Sequence, residues 1–417
     1  MTNRQLRQDL QDFHEEEQIQ LPSRPNRNRK PKKPPEQPKK FVLFNSTMDY
    51  TIYVTVIILV IIGVVMVFSA SHVTAERRAI FGNDPFHFLR RNALFAVLGF
   101  IVMNLMSKVS YELLRPFAKM SYLIVVGLLV ALEIVGQAAG GAVRWIELPV
   151  IGRFQPSELA KPAIIVMMAY MIEKAPKALE KWSGFFVFSG IVFVMTALVA
   201  RGGMSSAIIV ATIGFGMIFI ASPYLWRFIF AGVAGFGGLG MYLWWMSTRI
   251  ADGAVEGGFR GARFLAWQDP FAFAQTTGFQ IVQSLYAIGS GGWFGLGIGQ
   301  SRQSTFVPEA HNDIIFAIIV EELGFIGAAV ILLLFGIFIW RGIVVAINAP
   351  DTFGSLLACG IVFGIAFQAL INVAVVTNSI PNTGVTLPFI SYGGTSLVVS
   401  MALAGVLLNI SKYSKVT

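Results

Sequence analysis

Residues 307–324 read Val-Pro-Glu-Ala-His-Asn-Asp-Ile-Ile-Phe-Ala-Ile-Ile-Val-Glu-Glu-Leu-Gly. A polar, ionisable cluster (Glu309, His311, Asp313) runs without a break into a long apolar helix pattern. Runs of about 20 apolar residues recur along the chain, which is the length that crosses a bilayer as a helix. The stretch therefore sets a carboxylate at the lip of a membrane. Ionisable groups at such depth are costly and mark functional sites.

Composition gives the same class. The chain has 417 residues, of which 55% are hydrophobic and 13% charged, against about 25% charged in a soluble domain. Its mean hydropathy is +0.66. The fold class read here is an all-α membrane protein. Ten transmembrane helices are predicted at 48–70, 90–106, 118–138, 157–173, 184–200, 203–221, 226–246, 313–340, 352–376 and 388–410. A large extracellular loop over 247–312 joins the seventh span to the eighth. The domain reading is a tail over 1–44 followed by one ten-span domain over 45–417.

The tail is basic and proline-rich. From Arg24 to Lys40 it carries eight Lys or Arg against one acid, Glu36. Such a segment is read as disordered. It abuts a span, so it leans on anionic lipid and marks the cytoplasmic side; nucleic-acid binding is not expected. An even span number puts both termini on that side. Lys108, Lys119, Lys174, Lys177, Lys181, Lys412 and Lys415 fall there too, as the positive-inside rule requires. The predicted outer loops instead carry Arg77, Arg78, Arg144, Arg153, Arg249, Arg260, Arg263 and Arg302. Guanidinium is the preferred fork for phosphate oxygens, so this face suggests a phosphorylated ligand; scattered solvated charge is the plainer reading.

Several classes of chemistry are not expected. The single cysteine, Cys359, sits in an apolar run, and the four histidines lack zinc-ligand spacing. There is no phosphate-binding loop or dinucleotide fingerprint, so ATP hydrolysis is not expected to drive the protein.

Three constellations remain. Asp313 is placed at a helix start, where the dipole favours its anion and burial opposes it; it reads as a general base, or Asn312 or Asp313 simply caps the helix. In Phe154-Gln-Pro-Ser-Glu-Leu-Ala-Lys161 the spacing of three puts Glu158 and Lys161 on one face. They form a neutralising ion pair, or Lys161 meets a phosphate while Glu158 holds it. In Pro381-Asn-Thr-Gly-Val-Thr-Leu-Pro-Phe-Ile-Ser-Tyr-Gly-Gly-Thr-Ser396 the hydroxyls of Ser391, Tyr392, Thr395 and Ser396 line a sugar or phosphate site, or the small residues serve helix packing. The glycine string over 287–299 would let backbone approach a ligand, or belongs to a re-entrant segment. Glu321 and Glu322 read as a structural polar network rather than a proton path.

Taken together, these stretches resemble the SEDS family (shape, elongation, division and sporulation). Asp49-Tyr50, Gly63, Met66, Ser69-Ala-Ser71, Arg144-Trp-Ile146 and Gln280–Ser284 match it as well, so the resemblance covers about 45–412. It implies a peptidoglycan glycosyltransferase that polymerises lipid II at the outer face of the bacterial cytoplasmic membrane and releases undecaprenyl pyrophosphate. Asp313 falls on the family's catalytic aspartate. Glu158, Lys161, Arg144, His311, Glu309, Gln283, Ser391, Tyr392 and Ser396 are the substrate-binding candidates, and no protein metal site is expected. A divalent cation, Mg²⁺ or Mn²⁺, is the one cofactor considered. Ala310 and Asn372–Thr377 look more like the cell-division branch, with a class B penicillin-binding transpeptidase and other divisome proteins as partners at the septum. Elongation or sporulation is the alternative role. A lipid II flippase and a scaffold for the transpeptidase are the competing functions. Two departures stand out: Asn312 in place of the usual Thr, and Arg201-Gly-Gly-Met-Ser-Ser206 in place of a Gln-Pro-Asp-Leu-Gly-Thr pattern, which loses an acidic residue and adds a cation.

Overall fold

In hydrocarbon every backbone N–H and C=O must find its partner inside the chain, so apolar runs of span length fold as helices. A computed structural model describes residues 48–77, 83–135, 137–139, 142–148, 152–224, 226–228, 237, 241, 258–307 and 309–414. Its helices are α1 (Tyr50–Arg77), α2 (His87–Lys108), α3 (Leu114–Val135), α4 (Pro156–Lys174), α5 (Trp182–Gly202), α6 (Met204–Ala221), α7 (Gly258–Gln268), α8 (Phe279–Gly291), α9 (Ile315–Ile347), α10 (Thr352–Val376) and α11 (Gly394–Tyr413). Among the described residues eight helices are long and apolar enough to cross a membrane: α1, α2, α3, α5, α6, α9, α10 and α11. The expected fourth span is α4, whose Glu158, Lys161, Glu173 and Lys174 exceed the charge of a plain apolar span. The expected seventh span, 226–246, lies largely outside the described residues, as does the tail.

Local chemistry sets the helix ends. Asp49 accepts from the Thr51 and Ile52 amides at 3.0 and 3.2 Å and starts α1. Pro156 opens α4, where its missing N–H costs nothing. Asp351 caps α10 through the Gly354 amide at 3.0 Å. α2 packs on α11, α9 on α1 and α10, and α4 on α3, α6 and α10. α10 and α11 are the most enclosed spans. Lys108, Lys174 and Lys412 sit in the last turns of α2, α4 and α11, at the end of the bundle remote from Asp313. At that end Arg341 binds Asp49 at 2.7 Å, and Arg115 bridges Asp351 at 2.5 Å and Glu173 at 2.8 Å.

The connection before α4 was not expected to hold strands. It folds as a small antiparallel sheet of β1 (Gln137–Ala139), β2 (Ala142–Leu148) and β3 (Gly152–Phe154), in the order β1-β2-β3. Val143, Trp145 and Ile146 give β2 the β-branched and aromatic content that suits a strand. Ile146 faces Phe154 across β2 and β3, so the sheet ends two residues before α4.

α9 is broken at Gly324, whose φ is 69°. The glycine string packs into this break, so its glycines approach the chain's own backbone; this is the re-entrant packing alternative. The Leu296 and Gly297 amides donate to the Glu321 and Glu322 carbonyls, each at 2.9 Å. The Phe325 and Ile326 amides donate to the Gly292 and Trp293 carbonyls at 2.9 and 3.2 Å. A Cβ on Gly324 would stand 2.4 Å from the Trp293 oxygen and the Gly295 nitrogen. Glu321 and Glu322 complete the junction as a buried network. Ser69 donates to Glu322 at 2.6 Å, Ser301 Oγ to Glu321 at 2.5 Å, and the Arg302 amide to Glu321 at 3.1 Å. Gly324→Ala combines a left-handed φ with a backbone clash, and a loss of about 2–4 kcal/mol is expected. Thermal unfolding of the purified protein in detergent measures it, and an unchanged midpoint would contradict the packing described.

Candidate functional site

The Asp313 junction is a tight turn. Glu309 takes a positive φ of 57°, and the Asn312 amide donates to the Glu309 carbonyl at 2.9 Å. The Asn312 side chain donates to the Glu309 carboxylate, also at 2.9 Å. α9 begins at Ile315, its N-cap is Ile314, and no side chain caps it. The capping alternative for Asn312 or Asp313 is therefore corrected: the helix starts two residues later than predicted, and the Asp313 side chain is left for other contacts.

Asp313 is half-buried, and its Oδ2 lies beside Gly384. Burial pushes its carboxyl up to about 6, and the Glu309 carboxylate adds to the rise. A hydrogen bond from its own backbone N–H and the Arg263 guanidinium act the other way. Arg263, on α7, also donates to the Asn382 carbonyl at 3.4 Å. The site thus pairs a carboxyl that titrates near neutrality with a nearby cation.

Glu158 and Lys161 form the ion pair that their spacing suggests. Lys161 Nζ is 2.9 Å from the Glu158 carboxylate, and each residue is 6% exposed. The same Nζ donates to Gln368 Oε1 at 2.9 Å. Gln368 Nε2 then donates to the Thr386 carbonyl at 2.9 Å. One turn along α10, Asn372 Nδ2 donates to the Asp313 carbonyl and to the Val385 carbonyl, both at 2.7 Å. One helix face and one extended segment therefore connect the ion pair to Asp313.

The remaining candidates are distributed around this core. His311 is 3% exposed, with its ring 4.3 Å from Phe88 and 5.2 Å from Tyr392. The Tyr392 amide donates to the His311 carbonyl at 3.0 Å, a second tie on the junction. Ser391 Oγ accepts from the Leu387 amide at 2.7 Å, which makes it part of the turn before α11. That turn occupies 387–391, so the last span starts at Gly394, later than predicted. Ser396 is half-buried in the first turn of α11, and Gln283 is half-buried on α8. α8 reaches the 381–386 segment through Gln280, which accepts from Asn382 at 3.1 Å. Arg144 lies on β2, and only its backbone is described. Among the described residues no group of three or more His, Cys, Asp or Glu is placed to hold a metal ion.

Sequence reading left Gln368, Asn372 and Ser205 out of the candidate set, and Arg263 stood only as one of many arginines. Ser205 donates to the Thr383 carbonyl, which brings the departing Arg201–Ser206 loop onto the 381–386 segment. Gln368 and Asn372 do leave a signal, as amides four residues apart in an otherwise apolar span.

This arrangement of helices and buried polar groups defines a polytopic membrane protein whose candidate site is the Asp313 cluster at one end of the bundle. The profile of the cell cycle protein family that unites FtsW, RodA and SpoVE matches residues 49–416, and the chain belongs to that family. It is 40% identical over 379 residues to stage V sporulation protein E of Bacillus subtilis (strain 168), covering 89% of this chain and 99% of that one. It is also 40% identical over 368 residues to a probable peptidoglycan glycosyltransferase FtsW of Geobacter sp. (strain M18), covering 87% and 96%. Among solved structures it resembles a chain from a peptidoglycan synthase complex, at 25% identity and a TM-score of 0.70, covering 87% and 97%. The rod shape determining protein RodA of Thermus thermophilus has the same fold, at 24% identity and a TM-score of 0.63, covering 89% and 98%.

Two outcomes follow from the geometry. The Asp313 carboxyl is raised from the ordinary carboxylate value near 4 to about 6, so the folded state holds its proton more tightly than the unfolded one. The stability this gives is present below about pH 4 and lost as pH rises through 6. Asp313→Asn is expected to match wild type at pH 4 and exceed it by about 1 kcal/mol at pH 7, the full shift being discounted for partial exposure. Thermal unfolding across that range checks it. Lys161→Met strands the Glu158 charge and is expected to cost about 3–5 kcal/mol, most of which Glu158→Gln in the same chain restores; the same unfolding assay reads both variants.

Proposed function

We propose that the chain is a peptidoglycan glycosyltransferase that polymerises lipid II into glycan strands. The observation that carries this reading is Asp313, held half-buried at one end of the bundle beside Arg263 and connected through α10 to the Lys161–Glu158 pair. A carboxylate titrating near 6 is ionised at neutral pH yet basic enough to take a proton in the transition state. In this reading Asp313 removes the proton of the acceptor's 4-hydroxyl. The oxygen attacks the donor's anomeric carbon, and the bond from that carbon to the pyrophosphate oxygen breaks. Undecaprenyl pyrophosphate leaves with the electron pair. Arg263, Lys161 and Arg144 supply positive charge for that leaving group, and Glu158 orients Lys161. Glu309, Gln283 and Ser396 border the sugar, while His311, Tyr392 and Ser391 support the turns that carry the site. A divalent cation, Mg²⁺ or Mn²⁺, would neutralise charge on the leaving pyrophosphate and would be held chiefly by the substrate phosphates.

The lysines at the ends of α2, α4 and α11 support a cytoplasmic placing of that side, which puts Asp313 at the outer face. Relatives named FtsW, and the similarity to a chain of a peptidoglycan synthase complex, support a septal polymerase that works with a class B penicillin-binding transpeptidase. The ties of Glu321 and Glu322 to Ser69, Ser301 and Arg302 favour the polymerase over the flippase, because they occupy these carboxylates as structure.

The test is polymerisation of lipid II by the purified full chain in detergent, with and without the transpeptidase. Wild type is expected to form polymer, and folded Asp313→Asn to be at least about 100-fold slower. Equal rates would remove Asp313 as the base, and no polymer from wild type under any of these conditions would remove the polymerase.

A further inference from the structure

Asn372 is fully buried on α10 and uses both of its side-chain N–H groups on main-chain carbonyls, those of Asp313 and Val385. Neither acceptor lies in a helix or strand. Asn372 Oδ1 has no partner among the described residues. A buried oxygen without a partner is a cost that an apolar side chain of similar volume would avoid. The amide keeps that cost because its two N–H groups satisfy main-chain carbonyls of two separate segments, which an apolar side chain would leave unpaired and unlinked. Four residues earlier on the same face, Gln368 holds Lys161 with its oxygen and Thr386 with its nitrogen. The two amides grip adjacent residues of one extended segment, and Gly384 of that segment lies against Asp313 Oδ2.

We propose that Asn372 is a positioning residue: its amide clamps the Asp313 junction against the 384–386 segment and, through the shared face with Gln368, holds the carboxylate in register with the Lys161 ammonium. The proposal rests on the reading of Asp313 as general base. Asn372 itself touches no reacting atom. Its effect is to hold a carboxylate in one place and keep it poorly hydrated. A merely structural role would lower the amount of folded protein but leave the chemistry of each folded molecule unchanged.

The experiment compares wild type, Asn372→Leu and Asn372→Ser as full chains with the transpeptidase. Lipid II polymerisation is measured from pH 5 to 8, and rates are taken per folded, monodisperse molecule. For Asn372→Leu, kcat is expected to fall about 10–100-fold, as for a misplaced catalytic group, while KM for lipid II changes less than about threefold. The acid limb of kcat/KM is expected to move down by at least about half a pH unit, because an unclamped carboxyl gains water. Asn372→Ser keeps one donor and is expected to recover part of both effects. It also carries the test if Asn372→Leu does not fold. An unchanged kcat, or a lower kcat with the acid limb unmoved, would overturn the proposal. Asp313→Asn is run beside them: if it polymerises at the wild-type rate, the base assignment fails on its own, whatever the Asn372 variants do.

Discussion

A main-chain carbonyl released inside a membrane has no water to turn to, and the bundle is organised around meeting that constraint. α9 breaks at Gly324, and the break frees the Glu321 and Glu322 carbonyls and the Phe325 and Ile326 amides. The glycine string at 291–297 supplies all four partners. It can do so because a Cβ at Gly291 or Gly295 would lie 2.1 Å from a backbone oxygen of α9. The segment that follows the string is fixed by the Glu321 carboxylate, through Ser301 Oγ and the Arg302 amide, and by the Glu322 carboxylate through the Ser301 amide. That segment leads straight to the Asp313 turn. The turn is tied again by the Tyr392 amide and by Asn372. The position of Asp313 thus follows from how a broken helix satisfies its backbone.

Much of this was legible in the sequence, for identifiable reasons. Apolar runs of span length have few alternatives to a helix, so their places could be read directly. Glu158 and Lys161 sit three apart in a helical stretch, and their pairing follows from spacing alone. What the sequence left open, or offered as an alternative that the fold overturns, concerns the main chain at turns and breaks. The capping of α9 by Asn312 or Asp313 depended on the first helical residue, and the helix starts at Ile315 with Ile314 as its N-cap and no side-chain cap. The glycine string was ambiguous because glycine permits close approach to a ligand or to the chain itself, and only the fold shows which. β1 and β3 are three residues each, too short for a periodic signal, and β2 sets Val143, Trp145 and Ile146 among Arg144 and Glu147 without strict alternation.

Gln368 and Asn372 show a different limit. Two amides on one face of an apolar span can be picked out by type and spacing. The main-chain carbonyls they bind lie 13, 18 and 59 residues away in sequence, and no pattern points to a carbonyl. The same holds for Arg263, which sequence could only count among eight outer-loop arginines, whereas the fold sets it near Asp313. The candidate site is therefore a titratable residue recognisable in sequence, held by backbone contacts that are not.

The central claim is that the Asp313 end of the bundle holds the acceptor sugar and the pyrophosphate together. The most direct measurement is an experimental structure of folded Asp313→Asn with lipid II bound. The account predicts the acceptor's 4-hydroxyl within about 3 Å of the residue 313 side chain, which is hydrogen-bond reach for a general base, and the pyrophosphate on the Arg263 and Lys161 side of the site. A substrate bound at the lysine-rich end, or an acceptor hydroxyl facing away from residue 313, would contradict it.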